Sequence, residues 1–229
     1  MKKILRFITV LYVMLSCSSD KIIDMPIVFD EERTELTLEY LQEHYDLRQK
    51  EPTITPQMVV VHWTVIPTME ESFEAFKEAK LPNKRPDIVK ASALNVSSQF
   101  LVDRDGTIYR LMPENFMARH VIGLNHCAIG IENVGGTGEL PLTPEQLESN
   151  IWIINYLKDK YDILYLIGHY EYTLFEGHEL WLEKDDGYRT EKNDPGEQFM
   201  EDIRSAVRGL DLKDNPTKIK IESDSLISN

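Results

Sequence analysis

Short apolar runs alternate with segments of helical periodicity along this chain, and this alternation constrains its fold more than any other feature. The β-branched run at residues 58–64 predicts a buried strand, and residues 127–134 and 164–167 predict two more. Asp105-Gly106 lies between two apolar runs, at 99–102 and 107–111, and predicts a hairpin. We predict helices at residues 34–47, 68–80, 144–160 and 197–210. This order predicts an α/β fold in which helices flank a central mixed β-sheet.

The N-terminus has the pattern of an export signal. Residues 1–6 carry three basic side chains, and the apolar run at 7–15 is too short to span a bilayer. Residues 14–17, Met-Leu-Ser-Cys, resemble a bacterial lipobox, so we predict a lipoprotein signal peptide at 1–16 and lipidation at Cys17. A cleaved signal followed by an incidental cysteine is the alternative. Ser18, in place of an aspartate, favours an outer-membrane lipoprotein that faces the periplasm and contacts the membrane only through its lipid anchor.

The chain is strongly acidic, with a formal net charge of -14. Removal of residues 1–16 would take away three basic residues and no acidic one. Because nucleic acids and anionic membrane surfaces repel such a protein, the charge argues against both as partners, whereas a mixed-charge glycopeptide is compatible with it. Cys127 is the one cysteine besides Cys17, so we predict no internal disulfide and a small core side chain at Cys127.

Two histidines and an aspartate stand at positions that suit a metal site. His62 lies within a predicted strand, His169 directly follows another, and Asp194 begins an Asp-Pro-Gly turn before the last helix. Two imidazoles and one carboxylate are a common ligand set for catalytic Zn²⁺, with the fourth position left for water. Spacing alone does not establish the site, because a histidine in a strand is more often structural.

Several ordered motifs resemble the N-acetylmuramoyl-L-alanine amidase type 2 family, which includes phage lysozyme-like amidases and animal peptidoglycan recognition proteins. The resemblance covers roughly residues 57–208. It rests on the segments VVVH at 59–62, VSSQFLVDRDGTIY at 96–109, ARH at 118–120, NHCAIGIE at 125–132, GH at 168–169 and KNDPG at 192–196. It implies a zinc-dependent hydrolase that cuts the amide between the lactyl group of muramic acid and L-alanine in peptidoglycan or muropeptides.

The resemblance also implies a role for each site residue. By it, His62, His169 and Asp194 are the zinc ligands, and Glu132 is the catalytic glutamate. It assigns Lys192 to the stabilisation of the oxyanion. It places His120 near the substrate, with a structural hydrogen-bonding histidine as the alternative. Strand alternation agrees for Glu132, because it predicts small same-face neighbours, Ala128 and Gly130, and puts Cys127, Ile129 and Ile131 on the other face.

The segment 170–193 between the second histidine and Asp194 is longer than the typical link of the family. It is aromatic, and we predict either part of the groove wall or a packed surface excursion. If Asp194 is not the third ligand, the nearby candidates are Glu171, Glu176 and His178. We expect His44 and His126 to be surface or packing residues.

These observations divide the chain into a tether at 17–33, a zinc amidase domain at 34–210 and a flexible tail at 211–229. Within the domain, we distinguish the N-terminal helix at 34–47 from a core at 57–208. Two other functions stay open: a non-catalytic peptidoglycan-binding module, and a metallopeptidase that cuts within the stem peptide. The sequence leaves the oligomeric state open.

Overall fold

A computed structural model describes residues 21–82 and 91–216, and within these ranges a six-stranded mixed sheet forms the centre of the molecule. The strand order is β1-β4-β3-β5-β2-β6. Strands β2, β3, β5 and β6 run parallel, whereas β4 is antiparallel to β3 and β1 is parallel to β4. The strands are β1 Ile22–Asp24, β2 Met58–Trp63, β3 Phe100–Val102, β4 Ile108–Arg110, β5 Ala128–Asn133 and β6 Tyr165–Gly168. The predicted α/β fold with a mixed sheet is confirmed.

Two of the helices begin at side-chain caps that were visible in the sequence. Thr143 and Gln146 form a reciprocal capping box at the start of the longest helix, and Thr68 accepts a hydrogen bond from the Glu71 N–H. The helices are α1 Glu31–Tyr45, α2 Met69–Lys77, α3 Pro144–Lys160 and α4 Glu197–Ala206, with 3₁₀ helices at His169–Phe175 and Arg208–Leu210. The bounds predicted for α3 are confirmed. By contrast, α2 and α4 end earlier than predicted, and α4 gives way to a 3₁₀ turn.

The two faces of the sheet carry separate apolar layers. Helices α3 and α4 cover one face, through Ile153, Ile154, Leu157, Met200 and Ile203, which pack against Val59, Val61, Ile129, Ile131 and Leu166. A loop segment and the first 3₁₀ helix cover the other face, through Val121, Ile122, Tyr172 and Phe175, which pack against Met58, Val60, Ala128 and Ile167. Because side chains alternate along a strand, His62, which follows Val61, and Glu132, which follows Ile131, belong to this second face.

The predicted tether and tail are partly wrong. Strand β1 and the start of α1 both lie within 17–33, and Arg33 is only 1% exposed. In the predicted tail, Lys213 pairs with Tyr165 at the free edge of β6. Both the three-residue strand β1 and the single bridge at Lys213 depend on a partner strand that is distant in sequence, so local periodicity does not reveal them.

The predicted signal peptide at 1–16 and Cys17 lie outside the described residues, as do residues 83–90 and 217–229. Within the described part of the chain, no helix has the length and apolar character needed to cross a membrane.

Candidate active site

The carboxyl ends of β2, β5 and β6 meet at one edge of the sheet, which is where parallel sheets bind ligands. His62 is the fifth residue of β2, and its register partner on β5 is Glu132. Parallel neighbours lie about 4.8 Å apart and point to the same side. His62 and Glu132 are therefore adjacent on the face opposite α3 and α4. His169 directly follows the last residue of β6.

Three potential ligand atoms converge at this edge. The Nδ1 atoms of His62 and His169 lie 2.9 Å apart. The Oδ2 atom of Asp194 lies 3.0 Å from the Nδ1 atom of His169 and 3.3 Å from that of His62. A tetrahedral Zn²⁺ with bonds of about 2.0 Å has ligand atoms about 3.3 Å apart. The donor set and the spacing of these residues therefore fit a zinc ion.

The ionisation of these side chains also fits metal binding. Burial raises the pKa of Asp194, but hydrogen bonds from His169 and His62 outweigh it and hold this pKa well below its usual range. Burial, followed by the charge of His62, lowers the pKa of His169 to about 4. Metal ligands must be deprotonated, and these two groups are a carboxylate and a neutral imidazole at neutral pH.

Trp63 positions the Asp194 turn relative to β2. It follows His62, and its ring packs against Gly136 and Gly196, both with positive φ angles of +97° and +88°. A Cβ atom at Gly136 would lie 2.4 Å from the indole Cγ, so only glycine fits there. The Tyr170 N–H also donates to the backbone oxygen of Asp194, at 3.1 Å.

A buried amide pair fixes the backbone at His62. Asn133 donates through Nδ2 to the His62 carbonyl oxygen at 2.9 Å, and its Oδ1 accepts from Asn150 of α3 at 2.7 Å. Both asparagines are fully buried. This pair was not predicted from the sequence, because the contact depends on how α3 packs against β5.

His120 and Lys192 line a cleft beside the three candidate ligands, together with His169, Ile122, Tyr188 and Thr190. Lys192 is close enough for its charge to contribute to the lowered pKa of His169. The His120 Nδ1 atom lies 2.9 Å from His62 Nε2, and burial holds the His120 pKa well below its usual value. The geometry thus places His120 against the candidate ligand His62 as well as in the cleft, and its contact with substrate stays a prediction.

The segment 170–193 combines the two alternatives predicted for it. Its first part packs over the second face of the sheet, where Tyr172 and Phe175 are buried. Its last part lines the cleft through Tyr188, Thr190 and Lys192. The segment is therefore both packed excursion and cleft wall.

The alternative third ligands have other partners. Glu171 accepts from the Gly168 N–H at 2.8 Å and pairs with Arg204, and Glu176 pairs with Arg189. His178 accepts from the Leu180 N–H through Nδ1. Asp194 is thus the carboxylate that the structure brings to the two histidines.

Two residues not assigned to the site are buried. Of the two alternatives expected for His44, the structure shows the packing residue: its ring is buried between Glu183, at 2.8 Å, and the carbonyl oxygen of Ala91, at 2.9 Å. Cys127 is buried as predicted, and burial raises its pKa to about 12. Its contacts, however, are with the apolar layer of Ala128 and not that of Ile129 and Ile131, because β5 begins only after it.

His126 is a packing residue, as expected. Its ring lies edge-on to that of Tyr45, with 5.4 Å between their centroids.

Comparisons with known proteins agree with this geometry. The family model described as N-acetylmuramoyl-L-alanine amidase matches residues 52–197. Among solved structures, the amidase LysC from Clostridium intestinale URNW shares 23% identity, with a TM-score of 0.52, over 84% of this chain and 99% of that one. The endolysin amidase LysCS from the same organism shares 23% identity, with a TM-score of 0.54, over 85% and 97%. A comparison with curated proteins gives no significant match. Since the family model spans well over half of the chain, this protein belongs to the N-acetylmuramoyl-L-alanine amidase family.

Proposed function

We propose that this protein is a zinc-dependent N-acetylmuramoyl-L-alanine amidase that acts on peptidoglycan or muropeptides. The observation that carries the proposal is the convergence of the His62, His169 and Asp194 ligand atoms. These atoms lie within 3.3 Å of one another, at the carboxyl ends of the strands where Glu132 also lies. The family match and the amidase fold of the two clostridial structures support the same reaction.

The proposed ligands would hold a Zn²⁺ ion, which would supply a Lewis acid for the scissile carbonyl and lower the pKa of water. The Glu132 carboxylate would accept a proton from the attacking water and later deliver it to the departing alanine nitrogen. The Lys192 ammonium group would stabilise negative charge on the carbonyl oxygen. The products are a free lactyl carboxylate and a free L-alanine amino terminus.

Each of the two other functions is distinguished from an amidase by a different property. The resemblance implies that non-catalytic recognition proteins lack a zinc ligand, whereas this chain keeps His62, His169 and Asp194 together with Glu132 and Lys192. A metallopeptidase would use the same residues on another bond, so the identity of the bond that opens separates it from an amidase.

A digest of defined muropeptides, read by mass spectrometry, tests the proposal. We expect the wild-type protein to separate the intact stem peptide from the muramic acid, and to stop doing so when a chelator removes its metal. We expect Glu132→Gln to lose at least 100-fold in kcat, because proton transfer by a positioned carboxylate contributes on the order of 10²–10⁴.

Glu176→Gln is the matched control, since Glu176 is partnered by Arg189 away from the cleft. Full activity in Glu132→Gln or in His62→Ala would contradict the proposal, and cleavage within the stem peptide would identify a peptidase.

We also propose that Cys17 carries a lipid that holds the protein at the outer membrane, facing the periplasm. The support is the apolar run at 7–15 followed by the Met-Leu-Ser-Cys segment. Labelling with a fatty-acid analogue followed by membrane fractionation tests it. We expect label and membrane association in the wild type and neither in Cys17→Ser, and an unlabelled wild-type protein would contradict the anchor.

A further inference from the structure

The imidazole of His62 has a second partner on the side that faces away from the metal ligands. Its Nε2 atom lies 2.9 Å from Nδ1 of His120, and the Nε2 atom of His120 lies 3.3 Å from the carbonyl oxygen of Ala128. The two rings are nearly perpendicular, at 87°, with centroids 5.0 Å apart. The rings thus form a short chain from the ligand atom of His62 to the backbone of β5.

Only one distribution of protons satisfies this chain when His62 binds a metal through Nδ1. The proton of His62 is then on Nε2, and it donates to Nδ1 of His120. His120 therefore carries its own proton on Nε2, where the Ala128 carbonyl oxygen accepts it. Metal-binding histidines commonly donate their other N–H to an acceptor that fixes the tautomer and the ring orientation.

The surroundings of His120 hold its ring in this place. Asn125 accepts through Oδ1 from the backbone N–H groups of His120 and Val121, at 2.9 and 2.8 Å. A Cβ atom at Gly130 would lie 3.0 Å from the Cγ and Nδ1 atoms of the His120 ring. The ring therefore rests directly on the one residue of β5 that has no side chain.

The hydrogen bonds that hold His120 in place extend to helix α1. The Asn125 amide donates through Nδ2 to the hydroxyl oxygen of Tyr45, at 3.0 Å, and Tyr45 is the last residue of α1. This helix precedes residues 52–197, the range matched by the family model.

We propose that His120 is a positioning residue that accepts the His62 Nε2–H and so holds the His62 Nδ1 atom toward the metal. The inference rests on the proposed function, because it assumes that His62 is a metal ligand. It predicts that substitutions at His120 change the affinity for zinc, whereas a role in substrate contact predicts that they change only KM.

A matched pair of substitutions isolates the acceptor. Asparagine places an oxygen where histidine has Nδ1, and leucine has nearly the shape of asparagine but no acceptor. Both remove the bond to Ala128 equally. We expect His120→Asn to bind Zn²⁺ within about threefold of the wild type. We expect His120→Leu to bind it about 10–100-fold more weakly, which is the usual effect of removing such a partner. Competition with a chromophoric chelator measures both dissociation constants.

Gly130→Ala is a second, independent variant. Its methyl group would displace the His120 ring, although neither histidine is replaced. We expect it to weaken zinc binding as well, and it serves as the test if His120→Leu does not fold. Thermal melting of the metal-free proteins checks folding.

Equal zinc affinity in His120→Asn and His120→Leu would overturn the inference, as would a change confined to KM. In both cases the wild type still binds zinc and the proposed function stands. A wild-type protein that binds no zinc overturns both.

Discussion

At the scale of single residues, the Asn133–Asn150 pair is the clearest case of a buried polar contact that supports the site. We expect Asn150→Ala to lower the free energy of unfolding by about 1–3 kcal/mol, because it leaves the buried Asn133 Oδ1 atom without its donor. Urea denaturation measures the change. Asn155→Ala is the control: Asn155 is exposed on the same helix, and its loss should cost less than about 0.5 kcal/mol. Equal costs at the two positions would contradict the assignment.

Glu114 is a second buried polar residue, and its effect depends on pH. Its carboxylate accepts from Tyr156, Lys160 and Tyr161 of α3 and the turn after it, and from Arg110 of β4. Burial raises its pKa, but the hydrogen bonds from Lys160 and Tyr156 outweigh it and lower the pKa below the ordinary value. A lowered carboxyl pKa contributes stability above the pKa of the unfolded chain, and that contribution is lost as the pH falls through the folded pKa.

We therefore expect Glu114→Gln to cost about 1–3 kcal/mol at pH 7 and progressively less below about pH 4. Urea denaturation of the metal-free proteins across this pH range measures the difference and keeps zinc release out of the comparison. Glu201→Gln, on the exposed side of α4, should leave the pH profile unchanged. A cost of Glu114→Gln that persists unchanged at pH 3 would show that the charge of Glu114 contributes nothing.

At the scale of elements, Arg33 joins two helices end to side. It lies in the first turn of α1, and its guanidinium donates to the carbonyl oxygens of Phe76 and Lys77, at 2.9 and 3.2 Å, and of Glu78. These are the final carbonyls of α2, which no backbone N–H satisfies within the helix. A cation there is also attracted to the negative end of the helix dipole.

We expect Arg33→Met to lower the free energy of unfolding by about 1–3 kcal/mol, since methionine keeps the apolar stem and loses every donor. Arg48→Met, at an exposed position just after α1, is the control and should change it by less than about 0.5 kcal/mol. Denaturation midpoints in urea compare the two, and a midpoint for Arg33→Met that matches the control would rule out a capping role.

The elements also show where sequence-based prediction succeeds. Helix α3 was predicted to the residue because its capping box and its proline are local signals. Strand β1 was not predicted, because its three residues are held by pairing with β4, more than eighty positions away. The three candidate metal ligands, which the structure brings together, were predicted through their motifs, but the His62–His120 contact depends on the register of β2 and β5, which no local pattern encodes.

At the scale of the whole molecule, the proposed metal would connect segments that are distant in the chain. His62 lies in β2, His169 at the end of β6, and Asp194 in the turn before α4, after the long segment 170–193. With no internal disulfide available, because Cys127 is the one cysteine among the described residues and is free, a shared ion is the strongest cross-link that these side chains offer. Zinc binding and global stability should therefore be coupled.

We expect removal of zinc to lower the melting temperature substantially. With free zinc on the order of 1,000 times its Kd, binding to the folded state adds about 4 kcal/mol, which for a domain of this size corresponds to roughly 8–16 °C. Calorimetry with zinc and with chelator measures the shift. His62→Ala lacks a ligand, so its melting temperature should no longer respond to zinc, whereas His178→Ala should respond like the wild type because His178 lies outside the ligand set. A wild-type protein that melts at the same temperature in zinc and in chelator would show that these three segments are not joined by a metal.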